Sequence, residues 1–197
     1  MVDGSKTSAV VALAFVLAVA AFLLCGCASA SQAASNGNDQ IVKAAIELAE
    51  EYRSLGRLED SIGVYDKALE RTYDYRLLYN KALTIANLGD FEQAAALCQE
   101  GHGSFPYILA FKKAQAKYYI ELERWQDAAS SYIEVLELDP YDTSTRKALI
   151  SLYVTNNEPS KAAEQATILW NQGYRTAETV GLMKVSLDPS LESSQED

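Results

Sequence analysis

The chain has 197 residues, 49% of them hydrophobic, with a formal net charge of −10 and a pI near 4.6. That length fits one ordinary domain or a short repeat array, and that apolar content excludes a chain disordered throughout. The acidic balance excludes non-specific binding to nucleic acid, whose phosphates attract basic patches.

The first element is an address rather than a part of the fold. Residues Ser8 to Leu24 carry no charge, follow a short start containing Lys6, and end in the small residues Cys25, Gly26, Cys27 and Ala28. This charged, apolar and small order is that of a secretory signal. Leu24-Cys25-Gly26-Cys27 resembles a bacterial lipobox, which implies cleavage after residue 26 and lipidation of Cys27. The alternative is an uncleaved anchor, although seventeen helical residues reach roughly 25 Å, short of a hydrocarbon core of about 30 Å. Either way the body is expected to be exported and membrane-anchored, on the periplasmic or extracellular face. Ala28, where an aspartate tends to retain lipoproteins at the inner membrane of enteric-type bacteria, leans toward the outer membrane if there is one. Residues 27–40 then form a small, polar linker that spans up to about 40 Å when extended.

From Gln40 onward the apolar residues recur three and four apart, the helical spacing. Turn signals interrupt the pattern at 55–57 (LGR), 88–90 (LGD), 122–124 (LER) and 156–159 (NNEP). Gly56, Gly89, Glu123 and Asn157 hold corresponding slots, 33, 34 and 34 residues apart. Second-helix residues repeat in phase: Ser61, Tyr65 and Ala68; Ala94, Cys98 and Gly101; Ala128, Tyr132 and Val135; Ala162, Ala166 and Leu169. First-helix packing slots hold Leu48, Ala49 and Tyr52; Leu78, Ala82 and Ile85; Ala116 and Tyr119; Leu149 and Tyr153.

Period and slots together resemble the tetratricopeptide repeat, two antiparallel helices per unit. The resemblance implies an all-α, right-handed superhelix of about four hairpins over 41–74, 75–107, 108–141 and 142–174. One hairpin cannot bury its apolar face alone, so stacked neighbours share a core. Residues 175–187 are expected to form a capping helix with Val180, Leu182, Met183 and Leu187 largely on one side, and 188–197 an acidic tail.

No motif for catalysis, a cofactor or a metal stands out. His102 is the one histidine, four residues after Cys98, and nothing completes a zinc site with them. Cys98 occupies a core slot, and it is the one cysteine in the body after Cys27, so the body has no intramolecular disulfide. Trp125 and Trp170 fall at packing slots of second helices. The chain is therefore expected to be no enzyme.

The resemblance implies instead a concave groove lined by first helices. Its slots carry Lys43, Ile46, Glu50 and Arg53; Arg76, Tyr79, Leu83 and Asn87; Lys113, Lys117, Ile120 and Glu121; Lys147, Ser151 and Val154. Six cations against two acids on this face, in a chain of net charge −10, imply an acidic or C-terminal-carboxylate peptide as partner. The expected function is a tethered protein-interaction scaffold of the bacterial envelope; the alternative is a component, possibly oligomeric, of an outer-membrane assembly or solute-transport complex.

Overall fold

The structure, a computed structural model, describes residues 37–187. The expected leader, Cys27, most of the linker and the acidic tail lie outside the described residues. Among the described residues there is no strand, and no helix long and apolar enough to cross a membrane.

The chain is helical over 37–54, here α1. There follow α2 (Leu58–Leu69), α3 (Tyr75–Asn87), α4 (Phe91–Ser104), α5 (Ala110–Glu121), α6 (Trp125–Leu138), α7 (Thr143–Thr155), α8 (Pro159–Asn171) and α9 (Ala177–Leu187). From α2 onward each helix packs on the next in sequence, and α3 also touches α5. The result is the expected all-α superhelix of hairpins, with odd helices on the inner face and even helices outside.

Local chemistry sets the helix ends. Asp74 caps α3 by accepting from the Arg76 amide, Asp90 caps α4 through Gln93, and Asp142 caps α7 through Ser144 and Thr145. Pro159 opens α8, where its missing N–H costs nothing. The turns inside the hairpins place Gly56, Gly89, Glu123 and Asn157 at positive φ, the left-handed conformation that stops a helix. Two of these turns are braced alike. Arg57 bonds Asp60 at 2.7 Å and lies over Tyr52, and Arg124 bonds Asp127 at 2.7 Å and lies over Tyr119.

Packing follows the repeat. All twelve second-helix slot residues, Ser61 through Leu169, are buried. Nine of them, all but Ser61, Gly101 and Val135, join three apolar clusters, each drawing on more than one hairpin: one around Tyr65 and Leu77, one around Cys98 and Phe111, one around Tyr132 and Leu149.

Three expectations need correction. Leu48 is 45% exposed and packs no core; Ala45 and Val42 do so beside Ala49. The inward face of α1 thus runs through 42, 45 and 49, and Leu48 faces away from it. Residues 37–40, assigned to the linker, are already helical, and Asp39 is anchored to Lys43 and Arg76. In α9, which packs on α8, Met183 lies against the last cluster but Val180 is at the surface and Thr179 is buried. Thr176 and Thr179 exchange side chain-to-amide hydrogen bonds at the start of α9, and this fixes which side faces in.

Candidate functional site

The inner face is built from stripes of residues three or four apart on α3, α5 and α7, a spacing that aligns side chains on one side of a helix. On α3, Tyr79 and Leu83 are half-buried and Asn87 is exposed. Tyr79 is held by an edge contact to the Phe111 ring at 5.8 Å. On α5, Lys113 and Ile120 are half-buried and Lys117 is exposed. On α7, Lys147, Ser151 and Val154 are exposed. The face therefore combines a wall of Tyr79, Leu83, Ile120 and Val154 with separate polar groups.

Its charge differs from the sequence expectation. Three aspartates that precede or open the inner helices bring negative charge to the same edge. Asp39 binds Lys43 at 3.0 Å and Arg76 at 2.8 Å. Asp74 chelates the Arg76 guanidinium through both carboxylate oxygens. Asp142 pairs with Lys113. Arg53 is paired with Glu50 at 3.3 Å. Four of the six expected cations are thus neutralised within the fold. Lys147 lies over the Tyr174 ring at 5.8 Å, a neutral partner. Lys117 is in no ion pair among the described residues.

The acids matter because their titration is displaced. The Arg76 guanidinium, then Lys43, holds the Asp39 carboxyl below the usual range, and Arg76 does the same for Asp74. Burial alone would raise Asp142, but hydrogen bonds from Lys113, Ser144 and Thr145 outweigh it and hold that carboxyl well down. The spacing of groove slots within the helices does not reveal these three. For Asp74 and Asp142 the usable signal is an aspartate just ahead of a helical run, the N-cap pattern, whereas Asp39 lies inside α1.

The other candidates are structural. Cys98 is fully buried and its thiol is pushed up to about 12 by burial, the opposite of an activated nucleophile. Burial, then Lys112, lowers the pKa of His102, so that ring is neutral near pH 7. Trp125 packs on the last cluster as expected, and also forms a wall of a cavity of about 230 Å³ between α6, α7 and α8, with Ile133, Leu152, Tyr153 and Lys161. Trp170 is half-buried beneath the Arg175 guanidinium, 5.2 Å from the ring.

With this geometry in view, the likeness to known proteins is specific as to fold. Residues 46–107 match the family model described as tetratricopeptide repeat. No curated protein matches the sequence significantly. A tetratricopeptide repeat protein from Parabacteroides merdae superposes with a TM-score of 0.64 at 16% identity, over 78% of this chain and 63% of that one. This chain thus spans less than two thirds of that protein's crystallised length. MamA 41-end from Desulfovibrio magneticus RS-1 gives a TM-score of 0.57 at 16% identity, covering 69% of this chain and 78% of its own. The first TPR of Spaghetti (RPAP3), bound to the HSP90 peptide SRMEEVD, gives 0.52 at 20% identity, covering 59% and 93%. At such identities these likenesses establish the architecture.

Proposed function

Since residues 46–107 are tetratricopeptide repeats and the helices that follow continue their superhelix, we propose that this tetratricopeptide-repeat protein is a membrane-tethered interaction scaffold of the bacterial envelope that holds an acidic peptide segment on its inner face. The observation that carries this reading is the arrangement of Lys117 and Lys147. Both are exposed beside the apolar wall and neither is neutralised by a carboxylate of the chain. A peptide carboxylate meeting Lys117 gains a charge-assisted hydrogen bond, while Tyr79, Leu83, Ile120 and Val154 offer contacts for apolar side chains. The peptide bound by the Spaghetti repeat, SRMEEVD, is acidic toward its C-terminus, and the same partner chemistry suits the unpaired lysines here. The tether is the lipid on Cys27 read from the sequence.

The test is crosslinking in cells followed by mass spectrometry, comparing the parent with Lys117→Glu/Lys147→Glu. Neither lysine supports an ion pair of the fold, so the variant keeps its helical circular dichroism and melting temperature. Loss of a specific partner in the folded variant supports the groove; retention of every partner refutes it.

A further inference from the structure

The connections that follow the hairpins share a feature that the core and the groove explain only in part. Each carries a tyrosine: Tyr73, Tyr107, Tyr141 and Tyr174, at spacings of 34, 34 and 33 residues. Their exposures are 52%, 92%, 78% and 42%. Tyr107 and Tyr141, the middle pair, have no ring, ion or hydrogen-bond contact from their side chains, and Leu138 beside Tyr141 is 60% exposed. Tyr73 is engaged by Phe105, Glu100 and Ser104, and Tyr174 by Lys147, so packing accounts for the outer two; the bare rings of Tyr107 and Tyr141 are the docking feature.

Printed contacts place these connections in a row. Tyr73 stacks on Phe105 of the next connection at 5.7 Å. Lys113, just after that connection, pairs with Asp142 of the third. Gln172, at the fourth, donates to the Pro140 carbonyl of the third at 2.9 Å. The row is one edge of the superhelix. The start of α1 lies at the same edge, because Asp39 is bonded to Arg76 at the first connection. The chain that precedes residue 37 therefore enters the fold beside the tyrosines. That preceding chain contains the uncharged run Ser8 to Leu24 and Cys27, and only nine residues separate Cys27 from residue 37. Nine residues span about 30 Å at most, so a body attached this way stays within one body-width of the bilayer.

We propose that the tyrosine edge rests on the lipid bilayer, with Tyr107 and Tyr141 seated at the headgroup level beside the anchor. This rests on the tether of the preceding section and goes beyond it by orienting the body. Tyrosine suits that layer because its ring is apolar and its hydroxyl stays hydrated. Once the edge is seated, the opposite edge, formed by the turns at Gly56, Gly89, Glu123 and Asn157, points away from the membrane, and both mouths of the groove stay open to solvent.

The experiment uses the full chain, purified in its membrane-bound form and reconstituted in phosphatidylcholine vesicles with brominated acyl chains. Four variants each add one tryptophan at an exposed site: Tyr107→Trp and Tyr141→Trp on the tyrosine edge, Leu55→Trp and Leu88→Trp on the opposite edge. Trp125 and Trp170 are common to all four and set one background. Flotation with the vesicles tests the tether separately. The expected result is co-flotation of all four, with the added signal quenched at least about twofold more at 107 and 141 than at 55 and 88. Co-flotation with equal quenching, or none, overturns the orientation, leaves the tether standing and frees the edge for a protein partner. Failure to co-float overturns tether and orientation together.

Discussion

Lys113 near the start of α5 and Asp142 at the N-cap of α7 form an ion pair that ties one hairpin to the next across the inner face. Asp142 does two jobs with one carboxylate: it accepts the amides of Ser144 and Thr145, and it neutralises a groove lysine. Asparagine keeps the first job and drops the second. Asp142→Asn is therefore expected to leave the helix capped, release Lys113, and tighten an acidic peptide by about threefold to tenfold, the range of one newly available charge-assisted contact of about 1 kcal/mol. Fluorescence anisotropy with a labelled peptide ending in acidic residues reads this directly. Weaker binding in the variant would mean that Asp142 shapes the groove rather than blocks it. Asp142→Ala, which also removes the cap, is expected to cost about 0.5–2 kcal/mol of stability.

The displaced groups give the array a two-step acid response. His102 has a folded pKa below its ordinary value because of burial and then Lys112, with Glu134 acting the other way. The folded state thus binds fewer protons there, and its contribution is present above about pH 6.5 and is lost as pH falls through the folded value. Asp39, Asp74 and Asp142 are also depressed, so their contribution is present above about pH 4 and is lost below it. Urea midpoints measured from pH 8 to pH 3 are expected to decline first below about 6.5 and more steeply below about 4. His102→Phe should remove the first decline, and Asp142→Asn should soften the second. A profile that stays level down to pH 3 contradicts both assignments.

Gly101 marks the closest approach in the second hairpin. It is buried on α4, and a methyl group added there would overlap the ring of Phe111, itself fully buried on α5. An aromatic ring wedged in a core cannot swing aside, so Gly101→Ala is expected to destabilise by about 1–3 kcal/mol despite the better helix propensity of alanine. Gly103 is the control. It lies two residues on in the same helix with open space around its Cα, and Gly103→Ala should stabilise by about 0.5–1 kcal/mol. If both substitutions behave alike in urea titrations, propensity rather than contact governs α4.

The period of the turns and the small–aromatic–small slots made the superhelix legible, because those residues answer to local and near-neighbour packing. Ser61, Cys98 and Tyr132 hold the repeating second-helix slots and are buried. What escaped notice depends on the stack as a whole. Leu48 has the right type for a packing slot but faces away from the core, and only the phase of α1 against α2 reveals it. The groove residues were named in the sequence, yet their charge balance was not, since Asp39 and Asp142 reach Arg76 and Lys113 from other turns of the array. The tyrosine row has the same 34-residue period as the core slots. Periodicity alone does not separate a buried ring from one that is 92% exposed, as Tyr107 is.

The turns inside the hairpins offer a last discriminating change. Gly56 and Gly89 stop their helices at φ of 73° and 86°, and in the third hairpin Glu123 is forced to φ of 56°. An L-residue with a Cβ carries a steric cost of about 1–2 kcal/mol in that region, which glycine does not. Against this stands the larger unfolded-state entropy of glycine, of about 0.4–1 kcal/mol. The cost of the strained backbone is the larger, so Glu123→Gly is expected to stabilise by about 0.5–1 kcal/mol, raising the melting temperature by roughly 1–4 °C for a chain of this size. Glu123→Ala keeps the Cβ and should change little, which separates relief of backbone strain from removal of a carboxylate. At Asn157, with φ of 54°, the side chain already tolerates the left-handed region, so Asn157→Gly should gain less. Equal gains for Glu123→Gly and Glu123→Ala in thermal melts would assign the effect to charge and remove backbone strain as its cause.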